Sequence, residues 1–142
     1  MRHGQADFNA SCDSERALTA RGTEQTTRAG QQLKQAGLTP DLILCSPLLR
    51  ARQSAEQAAS AWGLTPQPEP ALDGRLSAAG LLEMTREYIA HYDCLLLVGH
   101  NPNISLAAGL LSGKYISFRP GDAMAFDVTD FDKPQLVFQE LS

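Results

Sequence analysis

Three features of the sequence predict an α/β fold, a three-layer α/β/α sandwich with a mainly parallel central sheet. Short apolar runs of strand length, DLILCS (41–46) and DCLLLVG (93–99), carry no polar alternation, as strands covered on both faces do. Stretches with helical patterning flank each run, so strand and helix alternate along the chain. Glycine, proline, serine and asparagine stand where helices would stop and start.

In chain order, TARGTEQTTRAGQQLKQAG predicts a helix from Thr19 to about Ala36, with Gly37 as its C-terminal stop. The strand 41–46 follows. Ser46 is placed to cap, and Pro47 to open, a second helix that ends at Gly63. TPQPEP (65–70) reads as a connection. Ser77 to about His91 predicts a third helix, 93–99 a fully buried strand, and Asn101-Pro102 the cap and first turn of a helix running to Leu111 before Gly113. AMAFDV (123–128) and QLVFQE (135–140) read as a closing hairpin.

The bulk numbers bound the function. A chain of 142 residues, 43% hydrophobic and 20% charged, fits one folded domain spanning 1–142. No apolar run approaches the roughly 20 residues of a membrane span, and the N-terminus lacks a signal-peptide layout, so the expected compartment is the cytoplasm. A net charge of −4 without a basic stripe argues against a nucleic-acid surface. Cys12, Cys45 and Cys94 are odd in number and widely spaced, which suggests neither a disulfide framework nor a zinc site. Cys45 and Cys94 read as small buried hydrophobes.

In α/β sheets ligands bind beyond the carboxyl ends of the strands. The junction CSPLLRAR carries Arg50 and Arg52, GHNP carries His100, and the opening MRHG carries Arg2 and His3. Arginine forks grip phosphate oxygens, and a neutral imidazole can attack phosphorus, so this set points to phosphoryl transfer without a metal or other cofactor. Arg52 reads as a solvated helix charge and His91 as a surface residue at a helix end.

These residues resemble the histidine phosphatase (phosphoglycerate mutase-like) superfamily, and most closely its small SixA-like phosphohistidine phosphatase branch. The resemblance rests on Arg2-His3-Gly4, on Arg16-Ala17-Leu18-Thr19-Ala20-Arg21-Gly22, on Ser46-Pro47-Leu48-Leu49-Arg50-Ala51-Arg52-Gln53-Ser54-Ala55-Glu56, and on Val98-Gly99-His100-Asn101-Pro102. It implies a phosphoglycerate mutase-like fold and a transient phosphohistidine on His3. It further implies that Arg2 and Arg50 bind the phosphoryl oxygens and that His100 is the second histidine of the pocket. Gly4 and Gly99 are expected to let the backbone pass close to a ligand. Arg16 and Asp73 are supporting candidates, Arg16 for the loop or the phosphate and Asp73 as a weak match to the family's acid.

Without a convincing acid, the expected substrate is a phosphoryl group leaving from nitrogen: phosphohistidine on a signalling protein such as a histidine-containing phosphotransfer domain. A lid-poor pocket would suit such a partner. The alternatives are a small phosphate ester handled by a phosphatase or mutase, and a module that binds phosphate without turnover. A thiol phosphatase is disfavoured because Cys45 to Arg50 is C-x4-R, one residue short of the C-x5-R loop. In the family a strand precedes Arg-His-Gly, whereas here only Met1 does. A central strand is therefore expected to be missing, and Met1 reads as an internal residue of a product starting upstream. Uncovered strand edges would lower stability or favour association.

Overall fold

The computed structural model describes residues 1–142. Helix α1 (Ala20–Gln35) starts where Thr19 Oγ1 accepts a hydrogen bond from the Gly22 amide, and it is followed by Gly37 at φ 83°. Strand β1 (Leu42–Cys45) leads into α2 (Leu49–Ala59), and β2 (Gln67–Pro68) lies in the TPQPEP connection. Helix α3 (Ala78–Ile89) is capped by Ser77, whose Oγ accepts from the Gly80 amide. Strand β3 (Leu95–Val98), helix α4 (Asn103–Ser112) and the antiparallel pair β4 (Ala123–Asp127) and β5 (Gln135–Glu140) complete the chain.

The parallel sheet has the order β2-β1-β3, with Leu44 paired to Leu97 and Cys45 to Val98. Successive side chains of β1 point to opposite faces, as the period of a strand requires. Ile43 and Cys45 therefore enter a core layer with Ala29 and Leu33 of α1 and Ala55, Ala58 and Ala59 of α2. Leu42 and Leu44 enter a second layer with Leu81 and Met84 of α3 and Ile104, Ala107 and Ala108 of α4. The first layer is built from small side chains because α1 and α2 lie close together: a Cβ at Gly30 would stand 2.3 Å from the Ala58 carbonyl oxygen.

The strand expected to be missing before Arg2 is not formed: the parallel sheet holds three strands, and Met1–His3 contribute only an isolated bridge at the carboxyl end of that place. Met1 N donates to Leu97 O, Gly99 N to Met1 O, and His3 N to Gly99 O, giving a parallel bridge between Arg2 and Gly99. On the other side Arg2 N donates to Asp122 O and Gly121 N to His3 O, which ties the segment to the chain entering β4. Because the segment flanks only this end of β3, Val98 is fully buried while Leu95, Leu96 and Leu97 are half-buried, against the fully buried run expected. Cys94, just before β3, is likewise half-buried. Helix α2 begins later than expected, and Ser46 Oγ accepts from the Leu48 amide at 3.2 Å just ahead of it while also lying 2.7 Å from His100 Nε2. Helix α4 begins at Asn103, and Asn101 Nδ2 donates to Phe118 O across to the loop before β4.

Candidate active site

The register of the sheet brings the site together. Gly99 follows the end of β3, Ser46 follows the end of β1, and Arg2 bridges Gly99, so His3, His100 and Arg50 emerge at one carboxyl edge. The two imidazole centroids are 5.1 Å apart, with the rings inclined at 59°. Both histidines are buried, as is Arg50.

His3 Nδ1 lies 2.7 Å from the Gly4 carbonyl oxygen. A carbonyl only accepts, so Nδ1 carries the proton and the neutral ring keeps its lone pair on Nε2. Burial pushes the His3 pKa down to about 4, and the neighbouring His100, Arg50 and Arg2 push in the same direction against the raising effect of the Gly4 bond. His100 is also lowered to about 4, first by burial and then by Arg50. Its Nε2 is 2.7 Å from Ser46 Oγ, and a small, largely apolar cavity that includes Leu72, Gly99 and Ile104 abuts the ring.

The arginines present unused donors. Arg2 Nη1 donates to Phe118 O at 2.9 Å, and Arg50 places both Nη groups on Asp13. Arg2 Nε and Arg50 Nε are buried with no hydrogen-bond partner. A buried unpaired donor is costly, and two of them on fixed cations beside a free imidazole nitrogen describe a site completed by an anion.

The supporting candidates fall differently. Arg16 gives its donors to the loop, with Nε to Asp7 O and Nη1 and Nη2 to Asp13 Oδ1 and Ala6 O, and its guanidinium stacks 4.3 Å from the Phe8 ring centroid. Asp73 accepts from Arg75 Nε at 2.7 Å, and this partner holds its carboxyl below the usual carboxylate range. Glu69 is engaged by the Ala71 amide and the Tyr88 hydroxyl.

The two glycines of the site differ in how tightly their backbone is packed. Gly4 is required by packing on α1, since a Cβ would lie 2.6 Å from Gly22 O and 2.9 Å from Thr26 Cγ2. At Gly99 a Cβ would meet only Ile104 Cδ1 at 3.8 Å, an ordinary contact. Cys45 is buried, and desolvation raises its thiol to about 11, which is opposite to the shift an attacking thiolate needs. Arg52 and His91 are exposed. No group of three or more His, Cys, Asp or Glu side chains converges as metal ligands would.

Sequence reasoning missed Asp13, Ser46 as the partner of His100, and Ser54. Ser54 Oγ accepts from the Gly4 amide and donates to Arg50 O, tying the segment of His3 to the helix of Arg50. None of these carries a local signal beyond being a short polar residue, because each partner lies far away along the chain.

The buried neutral histidines make stability depend on pH. Between pH 6.5 and 4 the unfolded chain binds protons that folded His3 and His100 refuse, so stability is full above this window and falls as pH is lowered through it. Each group contributes at most about 1.4 kcal/mol per pH unit. Urea unfolding at pH 7 and pH 5 is expected to show a loss of several kcal/mol at the lower pH; an unchanged midpoint would contradict these shifts.

Comparison with known proteins gives the family. Residues 1–90 match the model of the histidine phosphatase superfamily (branch 1). An uncharacterized protein of Picosynechococcus sp. is 42% identical over 108 residues, 73% of this chain and 66% of that protein, just under two thirds of its length. Phosphohistidine phosphatase SixA of Escherichia coli K12 is 32% identical over 121 residues, 80% of this chain and 73% of that one. Among solved structures, the protein histidine phosphatase SixA complexed with tungstate superposes with a TM-score of 0.81 at 23% identity, covering 99% of this chain and 94% of that one, a likeness of fold. No helix is long and apolar enough to cross a membrane. The chain belongs to the histidine phosphatase superfamily, branch 1, and its neighbours there are SixA-like.

Proposed function

We propose that this protein is a phosphatase that passes a phosphoryl group through His3 Nε2 and takes it from phosphohistidine on a signalling protein. The observation that carries the reading is the pair of unpartnered buried Nε–H groups on Arg2 and Arg50 beside a neutral His3 whose Nδ1 is fixed by Gly4 O. The lone pair on Nε2 attacks phosphorus, the bond from phosphorus to the donor nitrogen breaks, and the departing imidazole keeps that electron pair. Phosphohistidine with its distal nitrogen protonated leaves as neutral imidazole and asks no proton of the enzyme. The positive charge that develops on the His3 ring is stabilised by the Nδ1–H donating to Gly4 O, and the arginine donors hold the equatorial oxygens. Water then attacks phosphorus, the Nε2–P bond breaks, and phosphate departs as His3 returns to its neutral form.

The substrate class follows from the acids. Asp73 is held as a carboxylate by Arg75 and Glu69 is occupied, so neither is poised to protonate an alkoxide. A donor nitrogen needs no such help. The name of the Escherichia coli relative, phosphohistidine phosphatase, supports the same class, and the tungstate in the solved SixA structure is a tetrahedral oxyanion of phosphate shape.

The test compares turnover of a phosphohistidine-bearing phosphotransfer domain with that of an alkyl phosphate such as glycerol phosphate. The phosphohistidine donor is expected to have a kcat/KM at least about 10²-fold higher, the low end of a missing acid's contribution. A preference for the alkyl ester would favour a small-molecule phosphatase or mutase. Phosphate binding without turnover of either would favour a binding module.

A further inference from the structure

Arg50 is held by one residue on one edge. Nη1 donates to the backbone oxygen of Asp13 at 2.9 Å and Nη2 to its Oδ2 at 3.2 Å, so the end-on edge of the guanidinium is filled. In a planar guanidinium the Nε–H and the second Nη2–H point the same way and form the side-on fork that matches two phosphate oxygens. In Arg50 the Nε of that fork is buried and unpartnered. Asp13 thus occupies the edge that faces out and leaves open the edge that binds.

Asp13 is itself anchored. It opens a short 3-10 turn at Asp13–Glu15, its backbone oxygen also accepts from Arg16 N, and its Oδ1 faces Arg16 Nη1 at 3.4 Å. Arg16 in turn is fixed by the carbonyls of Ala6 and Asp7 and by the face of Phe8. The Asp13 side chain is 66% exposed whereas that of Arg50 is 9% exposed, so the contact spans from the surface loop to the buried pocket.

We infer that Asp13 is the positioning residue of the phosphate site: it fixes the roll of the Arg50 guanidinium so that the Nε/Nη2 fork faces the phosphoryl group, and Arg16 serves the site through Asp13 rather than by touching phosphate. The inference rests on the phosphate-binding reading above. It also makes a prediction of unusual sign. A carboxylate near an anion site ordinarily repels the anion, so its removal would tighten phosphate binding. If Asp13 orients Arg50, its removal weakens binding instead.

The experiment is calorimetric titration of inorganic phosphate into the full chain as wild type, Asp13→Ala, Asp13→Asn, Arg50→Ala and the Asp13→Ala/Arg50→Ala double variant, each checked for folding by thermal melting. Asp13→Ala is expected to bind phosphate about tenfold more weakly, the scale of one hydrogen bond to a charged group. Asp13→Asn, which keeps an oxygen acceptor at the same place, is expected to fall between it and wild type. In the Arg50→Ala background the Asp13→Ala change is expected to cost nothing further, because the two residues act as one. Tighter or unchanged binding in Asp13→Ala, or an equal loss in both backgrounds, would overturn the inference. Should Asp13→Ala not fold, tighter binding by Asp13→Asn would overturn it and weaker binding would support it. A wild type that binds no phosphate would overturn the anion site itself, a failure visible before any variant is compared.

Discussion

His3→Ala is expected to lower turnover of a phosphohistidine donor by about four orders of magnitude or more, the scale seen when an enzyme loses its nucleophile. The substitution removes the only imidazole whose Nδ1 is committed to a backbone carbonyl and whose Nε2 is thereby left to attack. Arg2 and Arg50 stay in place, so phosphate affinity should change far less than turnover. Steady-state kinetics beside phosphate titration separates the two effects. A variant retaining more than about 1% of wild-type turnover would mean that His100 or water attacks phosphorus directly, and the role of His3 would have to be withdrawn.

The second large effect is expected at Arg50. Arg50→Ala should reduce kcat/KM by about 10²–10³-fold, as the loss of a preorganised donor to transition-state charge does. Arg50→Lys should recover only part of this, because an ammonium keeps the charge but lacks the fork. The backbone of Arg50 still accepts from Ser54 Oγ in either variant, so the link to the Gly4 amide is preserved and the loss reads on the guanidinium rather than on the fold. Equal activity of the lysine variant and wild type would show that charge alone suffices there.

What the sequence made legible follows the range of the interactions involved. Thr19 and Ser77 cap their helices through amides three residues ahead, and Gly37 and Gly113 end theirs at positive φ; such features are set within one turn of chain and were readable. Ser46 reads as a cap, and its Oγ does accept from the Leu48 amide, but the folded chain also brings it to His100, 54 residues away, which nothing local announces. Asp13 and Arg50 are separated by 37 residues and Ser54 and Gly4 by 50, so nothing local marks either pair. The β2 strand is only Gln67–Pro68, too short and too proline-rich to display a period. The hold of Met1–His3 between β3 and the chain entering β4 is likewise a matter of backbone hydrogen bonds, which side-chain patterns do not encode.

The resemblance to the histidine phosphatase superfamily was carried by motifs in which short-range order fixes the chemistry: Arg-His-Gly in the opening segment, Ser-Pro-x-x-Arg after β1 and Gly-His-Asn-Pro after β3. The fold then supplies what the motifs cannot state, namely which nitrogen of His3 is free and which donors of Arg50 are already taken. The neutral state of both histidines is a product of burial and neighbouring cations, and it too appears only once the elements are assembled.

The central claim, that His3 Nε2 receives the phosphoryl group, is tested most directly by incubating the full chain and its His3→Ala variant with a radiolabelled phosphohistidine protein, quenching rapidly, and assaying protein-bound label for stability. Label on the wild type alone, lost in acid and retained in alkali, is the predicted result. Equal label on both proteins, or donor turnover by the wild type with no protein-bound label at any quench time, would contradict it.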